Sequence, residues 1–350
     1  MPGQPVPAAE ALGAYGSLAP SFALAVSVAA VGAGSALGRM AALAIALIVL
    51  VAQLWATGIA AEHLLVGRPT AARVTLGAGF WLFLVSATAI STEIARGIGR
   101  PTTVATLAIL LAALILGART GWFDALSLAV EYRARADLVH AAIIRHLVLA
   151  MAALAISVSI AVPLAWLAFR SRRAETAIDG LLNAIQVIPV IALYGLLVPL
   201  LSLLLAAVPA LRSAGLQAIG PTPAVLGVAA YLLLPLVRAL VESLRVADPA
   251  AVEAARAMGM TEARIAWEIR IPLGLSLVIA GFRTAVVQSI GLTTLAGLIG
   301  AGGLGAVVFE GMAQFASDLI LLGALPIVAL ALFVDMLLRA FETSAAKMSQ

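Results

Sequence analysis

From about position 17 to position 338 the chain repeats one pattern: a run of about 20 apolar residues, then a short break built from Arg, Pro and Gly. A run of that length with few or no charges matches the hydrocarbon thickness of a bilayer. It cannot be buried in a globular core, because 350 residues that are 63% hydrophobic and 11% charged, with a mean hydropathy of +1.12, hold too little polar surface to cover it. In lipid no water satisfies the backbone, so each segment must close its own hydrogen bonds, which makes it a helix. The fold expected is an all-α, polytopic membrane helix bundle.

Dividing the chain at its breaks gives about nine transmembrane helices, at 17–36, 40–60, 74–94, 102–117, 147–169, 181–204, 223–240, 273–292 and 318–338. The first four form an N-terminal membrane block, 1–117. Between 118 and 146 the chain turns polar, with Asp124, Glu131, Arg133, Arg135, Asp137, His140 and Arg145 set among apolar residues. This mixture predicts an external amphipathic segment leading into the next span. The last five spans make a core, 147–350. The N-terminus has no Lys or Arg before its first apolar run, so it lacks the charged region of a cleavable signal and is expected to be retained.

The stretch 248–272, DPAAVEAARAMGMTEARIAWEIRIP, is the long polar segment within the apolar C-terminal half. It has to lie outside the membrane. Asp248 and Pro249 read as a helix N-cap and first helical residue. Gly259 is placed to close that helix in the left-handed conformation. Thr261 restarts a second helix, 262–271, which ends at Pro272 before a new span. Of the 21 Lys and Arg residues, the side of the membrane holding 248–272 takes nearly twice as many as the other, with Arg283 inside a span. Cytoplasmic loops are enriched in these residues, so the expected orientation is an external N-terminus and a cytoplasmic C-terminus.

Glu253, Ala254, Ala255, Gly259, Ile269 and Pro272 stand at the spacing of the EAA motif, which this stretch resembles, found in the membrane subunits of ABC importers. The residue before the proline, usually Leu, is Ile271 here. RAMGMTEAR, LAGLIGAGGLGAVVFEG, NAIQVIPVIALYGLL and the GFWL element at Phe80 and Trp81 extend the likeness. Together they resemble the permease of an osmoprotectant importer (glycine betaine, choline or a related quaternary amine), of the subgroup with extra N-terminal spans. The resemblance implies an ABC importer type I permease core over 147–338, with 248–272 docking on a cytoplasmic ATPase. It implies a multi-pass protein of a bacterial inner membrane, partnered by ATPase subunits, an external substrate-binding protein and a second permease subunit, itself or a sister. ATP and Mg would be bound by the ATPase. A permease for methionine or another amino acid shares the motif and core. An ion-coupled secondary transporter would need intramembrane acids, which are scarce, and a purely structural scaffold has no use for the EAA spacing.

Other chemistries are excluded or disfavoured residue by residue. The chain has no Cys, which removes disulfides, thiolate metal sites and cysteine nucleophiles. Its one Lys, Lys347, is followed by Met348, so no Walker A loop exists, and if ATP drives the protein another chain binds it. Gly300, Gly302 and Gly305 match the dinucleotide-binding spacing but lack the strand that the fingerprint needs, so close backbone packing is their expected use. His63, His140 and His146 form no metal-ligand pattern, and the latter two are expected in solvent. The basic residues are dispersed, so nucleic acid is not a partner and membrane lipid is. No catalytic, cofactor or metal residue is expected. Candidate translocation-path residues are Gln186, Arg283 and Gln288: a span that contains a mid-membrane Arg faces either a polar path or a structural partner such as Asp335. Pro189 and Pro199 predict a bent helix around Gln186. The segment after Leu292 is apolar but rich in Gly, and reads as re-entrant or surface-packed.

Overall fold

A computed structural model describes residues 34–69 and 72–348, with positions 6, 7, 10–13, 21, 25 and 28 ahead of them. Eight helices among these are long and apolar enough to cross a membrane, and they coincide with the second to ninth expected spans. The span expected at 17–36 lies almost wholly outside the described residues. The chain divides into two compact units, 1–134 and 135–350.

In the first unit, α1 (Ala36–Leu65), α2 (Ala78–Ile98) and α3 (Arg100–Arg119) pack side by side. Ser35 starts α1 by accepting the Gly38 N–H at 3.0 Å. Gly99 separates α2 from α3, and Pro101 sits in the first turn of α3, where a missing N–H costs nothing. Ala42 and Leu43 meet Ile94 and Ala95, while Leu50 and Leu54 meet Ala87 and Leu110. A Cβ on Gly58 would fall 1.9 Å from the carbonyl oxygen of Trp122, so only glycine admits that loop against α1. The Ser127 N–H donates to Val74 O at 2.9 Å, and α4 (Ser127–Ala134) closes the unit.

The second unit is built on α5 (Ala136–Arg170), α6 (Arg172–Val187), α7 (Val190–Ala207), α8 (Pro221–Arg245), α11 (Leu275–Thr293), α12 (Leu304–Ala313) and α13 (Ser317–Met348). The short α9 (Pro249–Ala257) and α10 (Glu262–Ile265) lie between α8 and α11. Helices α5, α8 and α11 form its centre, where hydroxyls bond backbone across helices: Ser157 to Ala229 O at 2.9 Å and Ser289 to Ala150 O at 2.8 Å. Each hydroxyl adds a directional contact that lipid-like packing does not supply. The segment 118–146 is divided by the unit boundary: α4 belongs to the first unit, whereas 136–146 are the first turns of α5.

Three expectations need correction. The span drawn at 181–204 is two helices, because the chain is extended at Ile188 and Pro189; residues up to Val187 belong to α6, which starts in the polar Arg172–Glu175 stretch, and α7 alone is the apolar crossing. His146 is not in solvent. It is 0% exposed, with its Nε2 2.9 Å from Ile290 O on α11. The helix expected to end at Pro272 continues past it, for a reason visible in the loop geometry below.

Candidate functional site

The loop 248–272 folds on its own small core. The Asp248 side chain accepts the Ala250 N–H at 2.9 Å and starts α9. The helix closes with two bonds, Met260 N–H to Ala255 O at 3.1 Å and Gly259 N–H to Arg256 O at 2.9 Å, the paired pattern of a Schellman motif. Gly259 has φ +83, which an L side chain resists, although nothing lies within 4 Å of where its Cβ would stand. Thr261 then caps α10 by accepting the Arg264 N–H at 3.3 Å. Ala255 and Ile265 are buried with Ala247 and Val252, and Ile269 and Met260 pack against them. Removing the Ile265 side chain from water contributes about 2 kcal/mol.

Arg256 and Glu262 bridge the two legs of the turn at 2.5 Å. The bond from Arg256 holds the Glu262 carboxyl below its ordinary value of 4.5. The folded loop therefore binds fewer protons than the unfolded one; the pair's small contribution is present above pH 4.5 and is lost as pH falls through the lowered value.

Beyond α10 the helix widens into a π turn, Ala266–Arg270, with the Ile271 N–H bonded to Ala266 O. Pro272 has no N–H to give its preceding turn, and the wider turn accommodates the ring, so the chain passes through Ile271–Leu273 into α11 with one break at Gly274. A Cβ on Gly274 would fall 2.3 Å from Ser243 O, so the returning chain crosses the end of α8 backbone to backbone. Arg270 Nη1 donates to Leu244 O at 2.6 Å, satisfying a C-terminal carbonyl of α8, and its guanidinium lies 5.0 Å from the Phe169 ring centre. The loop is thereby fixed to α8 at both its start and its return.

Of the motif residues, Ala255 and Ile269 hold this core and Gly259 makes the turn. Glu253, Ala254 and Pro272 are exposed. Met258 and Trp267 add exposed apolar surface beside them, 75% and 69% accessible. Sequence reasoning passed over these two side chains, whose signal was their apolar character on a polar loop.

The path candidates are not brought together by hydrogen bonds. Arg283 binds Asp335 at 2.7 Å and Glu342 at 3.1 Å on α13, and Arg339 binds the other oxygen of Asp335 at 2.8 Å. Gln186 Nε2 donates to Tyr231 O at 2.7 Å. That carbonyl lies four residues before Pro235 in α8, so it has lost its helical donor and Gln186 replaces it. Gln288 is half-buried on α11. The Gly-rich segment is a 3₁₀ turn, Thr294–Ile299, then a loop with φ +74 at Gly300, +83 at Gly302 and +77 at Gly303, then α12. A Cβ on Gly305 would meet Thr294 O at 1.8 Å, which confirms close backbone packing as the use of this glycine. Arg145 Nε holds Ala301 O at 3.1 Å.

A family profile described as binding-protein-dependent transport system inner membrane component matches residues 157–347, more than half of the chain and the whole of the loop 248–272. The chain belongs to this family. A second profile, the N-terminal domain of ABC transporter permease YehY, matches residues 1–129. The permease is similar to the carnitine transport permease protein OpuCB of Listeria monocytogenes, with 32% identity over 57% of this chain and 84% of the relative. It is 38% identical to the osmoprotectant import permease protein OsmW of Salmonella typhimurium, over 57% of this chain and 87% of that one. The choline transport system permease protein OpuBB of Bacillus subtilis is 30% identical over 56% and 83%. In fold the permease resembles a chain of the inward-facing MetNI methionine ABC transporter, with a TM-score of 0.53 at 17% identity over 59% of this chain and 96% of that one. It is thus a multi-pass inner-membrane component of a transport system, with the type I importer core in its second unit.

Proposed function

We propose that this permease imports glycine betaine or another quaternary-amine osmoprotectant, driven by ATP that a separate ATPase subunit binds with Mg. The coupling loop carries this reading. It is a self-contained helix pair, anchored to α8 by Arg270 and Gly274, that presents Met258 and Trp267 to a partner. The absence of a Lys in any Walker A context supports placing the nucleotide on that partner. The substrate class is supported by the names of the relatives, which are permeases for carnitine, choline and osmoprotectants. A substrate-binding protein outside the membrane and a second permease subunit complete the assembly, with 1–117 as membrane block, 118–146 as external amphipathic segment and 147–350 as transport core.

The test is ATP hydrolysis by the permease with its ATPase in detergent or nanodiscs. Addition of the binding protein loaded with betaine is expected to stimulate hydrolysis, with no betaine affinity measurable on the permease alone. Stimulation only by a methionine-loaded partner would transfer the assignment to amino-acid import.

A further inference from the structure

Helix α6 is strapped to α8 along its whole length, and α7 is not. Tyr231, Arg238 and Arg245 recur every seven residues, two helical turns apart, and so share one face of α8. Arg245 forks onto both oxygens of Glu175 at 2.7 and 2.8 Å. Arg238 reaches Asp179 at 3.7 Å and Asn183 Oδ1 at 3.3 Å. Tyr231 receives Gln186 at its carbonyl and gives its own hydroxyl to Ile188 O. These rungs run antiparallel and stop at Ile188, where the backbone becomes extended for two residues through Pro189.

Past that point the polar ties cease. The two polar side chains of α7 are Tyr194 and Ser202. Ser202 bonds Val198 O within its own helix. Tyr194 is 1% exposed, and its hydroxyl has no partner among the described residues. Helix α7 rests on α8 through apolar contact only, in the cluster of Val190, Leu193, Tyr194 and Tyr231, with Gly227 leaving room for the Tyr194 ring. A buried hydroxyl without a bond raises the energy of this arrangement relative to one in which it finds an acceptor. At its other end α8 runs straight into Asp248 and the coupling loop, and Arg270 ties the loop back to Leu244.

We propose that α6 and α8 move as one rigid lever driven from the coupling loop, that α7 swings against this lever at Ile188–Pro189, and that Tyr231 is the positioning residue of the pivot. Its carbonyl holds Gln186 in the last turn of α6 and its hydroxyl holds Ile188 at the break itself, so the lever ends where the tether ends. The proposal rests on the importer reading of the chain, and deepens it by naming which helix moves against which.

The absence of Cys from the chain allows the test to be made by cross-linking in proteoliposomes with the ATPase and binding protein. Bridging Asn183→Cys to Arg238→Cys, across a rung, is expected to leave ATP-driven uptake at the level of the reduced form. Bridging Leu193→Cys to Ala230→Cys, within the α7–α8 cluster, is expected to stop uptake, with recovery on reduction. Loss of uptake in the first pair, or its persistence in the second, overturns the proposal. Tyr231→Phe provides a measurement that needs no bridge: the ring still packs and the hydroxyl tether to Ile188 is gone, so substrate moved per ATP hydrolysed is expected to fall several-fold while stimulation of hydrolysis is kept. An unchanged ratio would also overturn it. Failure of the importer reading looks different, since the unmodified chain would then show no ATP-driven uptake.

Discussion

Arg283 on α11 places its Nη1 2.7 Å from Oδ1 of Asp335 on α13, and its Nε 3.1 Å from Glu342 one further turn-pair along the same helix. The Arg side chain is 21% exposed and the two acids 23% and 30%, so solvent screens the group only in part. Asp335 is thus the acid partner that the sequence offered for Arg283 beside a place on the path.

Arg283→Ala is expected to cost about 1–3 kcal/mol, read as a lowered thermal midpoint in detergent, because two carboxylates lose a donor at once. Combining it with Asp335→Ala should cost less than the sum of the single changes, which is the signature of a shared interaction. Additive losses would show that the pair carries no coupling.

At the turn between α9 and α10, Gly259→Val is expected to destabilise the loop by about 1–2 kcal/mol through the left-handed backbone alone, since no neighbour is near enough to clash. The variant should still insert in the membrane, and its stimulated ATPase activity and uptake should fall together. Gly259→Asn, which tolerates that backbone better, should recover most of the loss. Equal defects in both variants would point away from φ as the cause.

Gly305→Ala makes a different kind of demand. Its methyl would overlap the Thr294 backbone, so the 3₁₀ turn and α12 must separate. Overpacking of this sort costs about 1–3 kcal/mol. Limited proteolysis of the loops flanking α12 should accelerate in this variant, whereas Gly180→Ala, with open space around it, should behave as the parent.

The membrane spans and the helix pair of 248–272 were legible because each rests on a local signal: length of apolar run, N-cap residues, and a glycine at a helix end. The seven-residue spacing of Tyr231, Arg238 and Arg245 was also present in the sequence, but its partners Glu175, Asp179, Asn183 and Gln186 lie 45 to 70 positions away, and no local rule pairs them. Pro189 marked a bend beside Gln186, but an apolar run long enough for one span hid that the chain there divides into two helices. His146 was misplaced for a related reason. Charged neighbours marked its segment as external, whereas its burial depends on the Gly303 backbone, where a Cβ would stand 3.2 Å from the His146 Cα. Pro272 was read as a stop because a π turn that admits a proline has no sequence signature of its own.

Orientation can be checked with single cysteines. Thr261→Cys is expected to react only with a reagent admitted to the cytoplasmic side, and Gly220→Cys only from outside. Both positions labelling from one side would contradict the arrangement of the spans between them.

ATP-driven import is tested most directly by uptake of labelled glycine betaine into proteoliposomes holding the permease and its ATPase, with the loaded binding protein outside and ATP inside. Accumulation is expected to require all three components and ATP, and to be lost when the exposed loop residues Met258 and Trp267 are both changed to Asp. Accumulation driven by a proton or sodium gradient without ATP or the ATPase would contradict it.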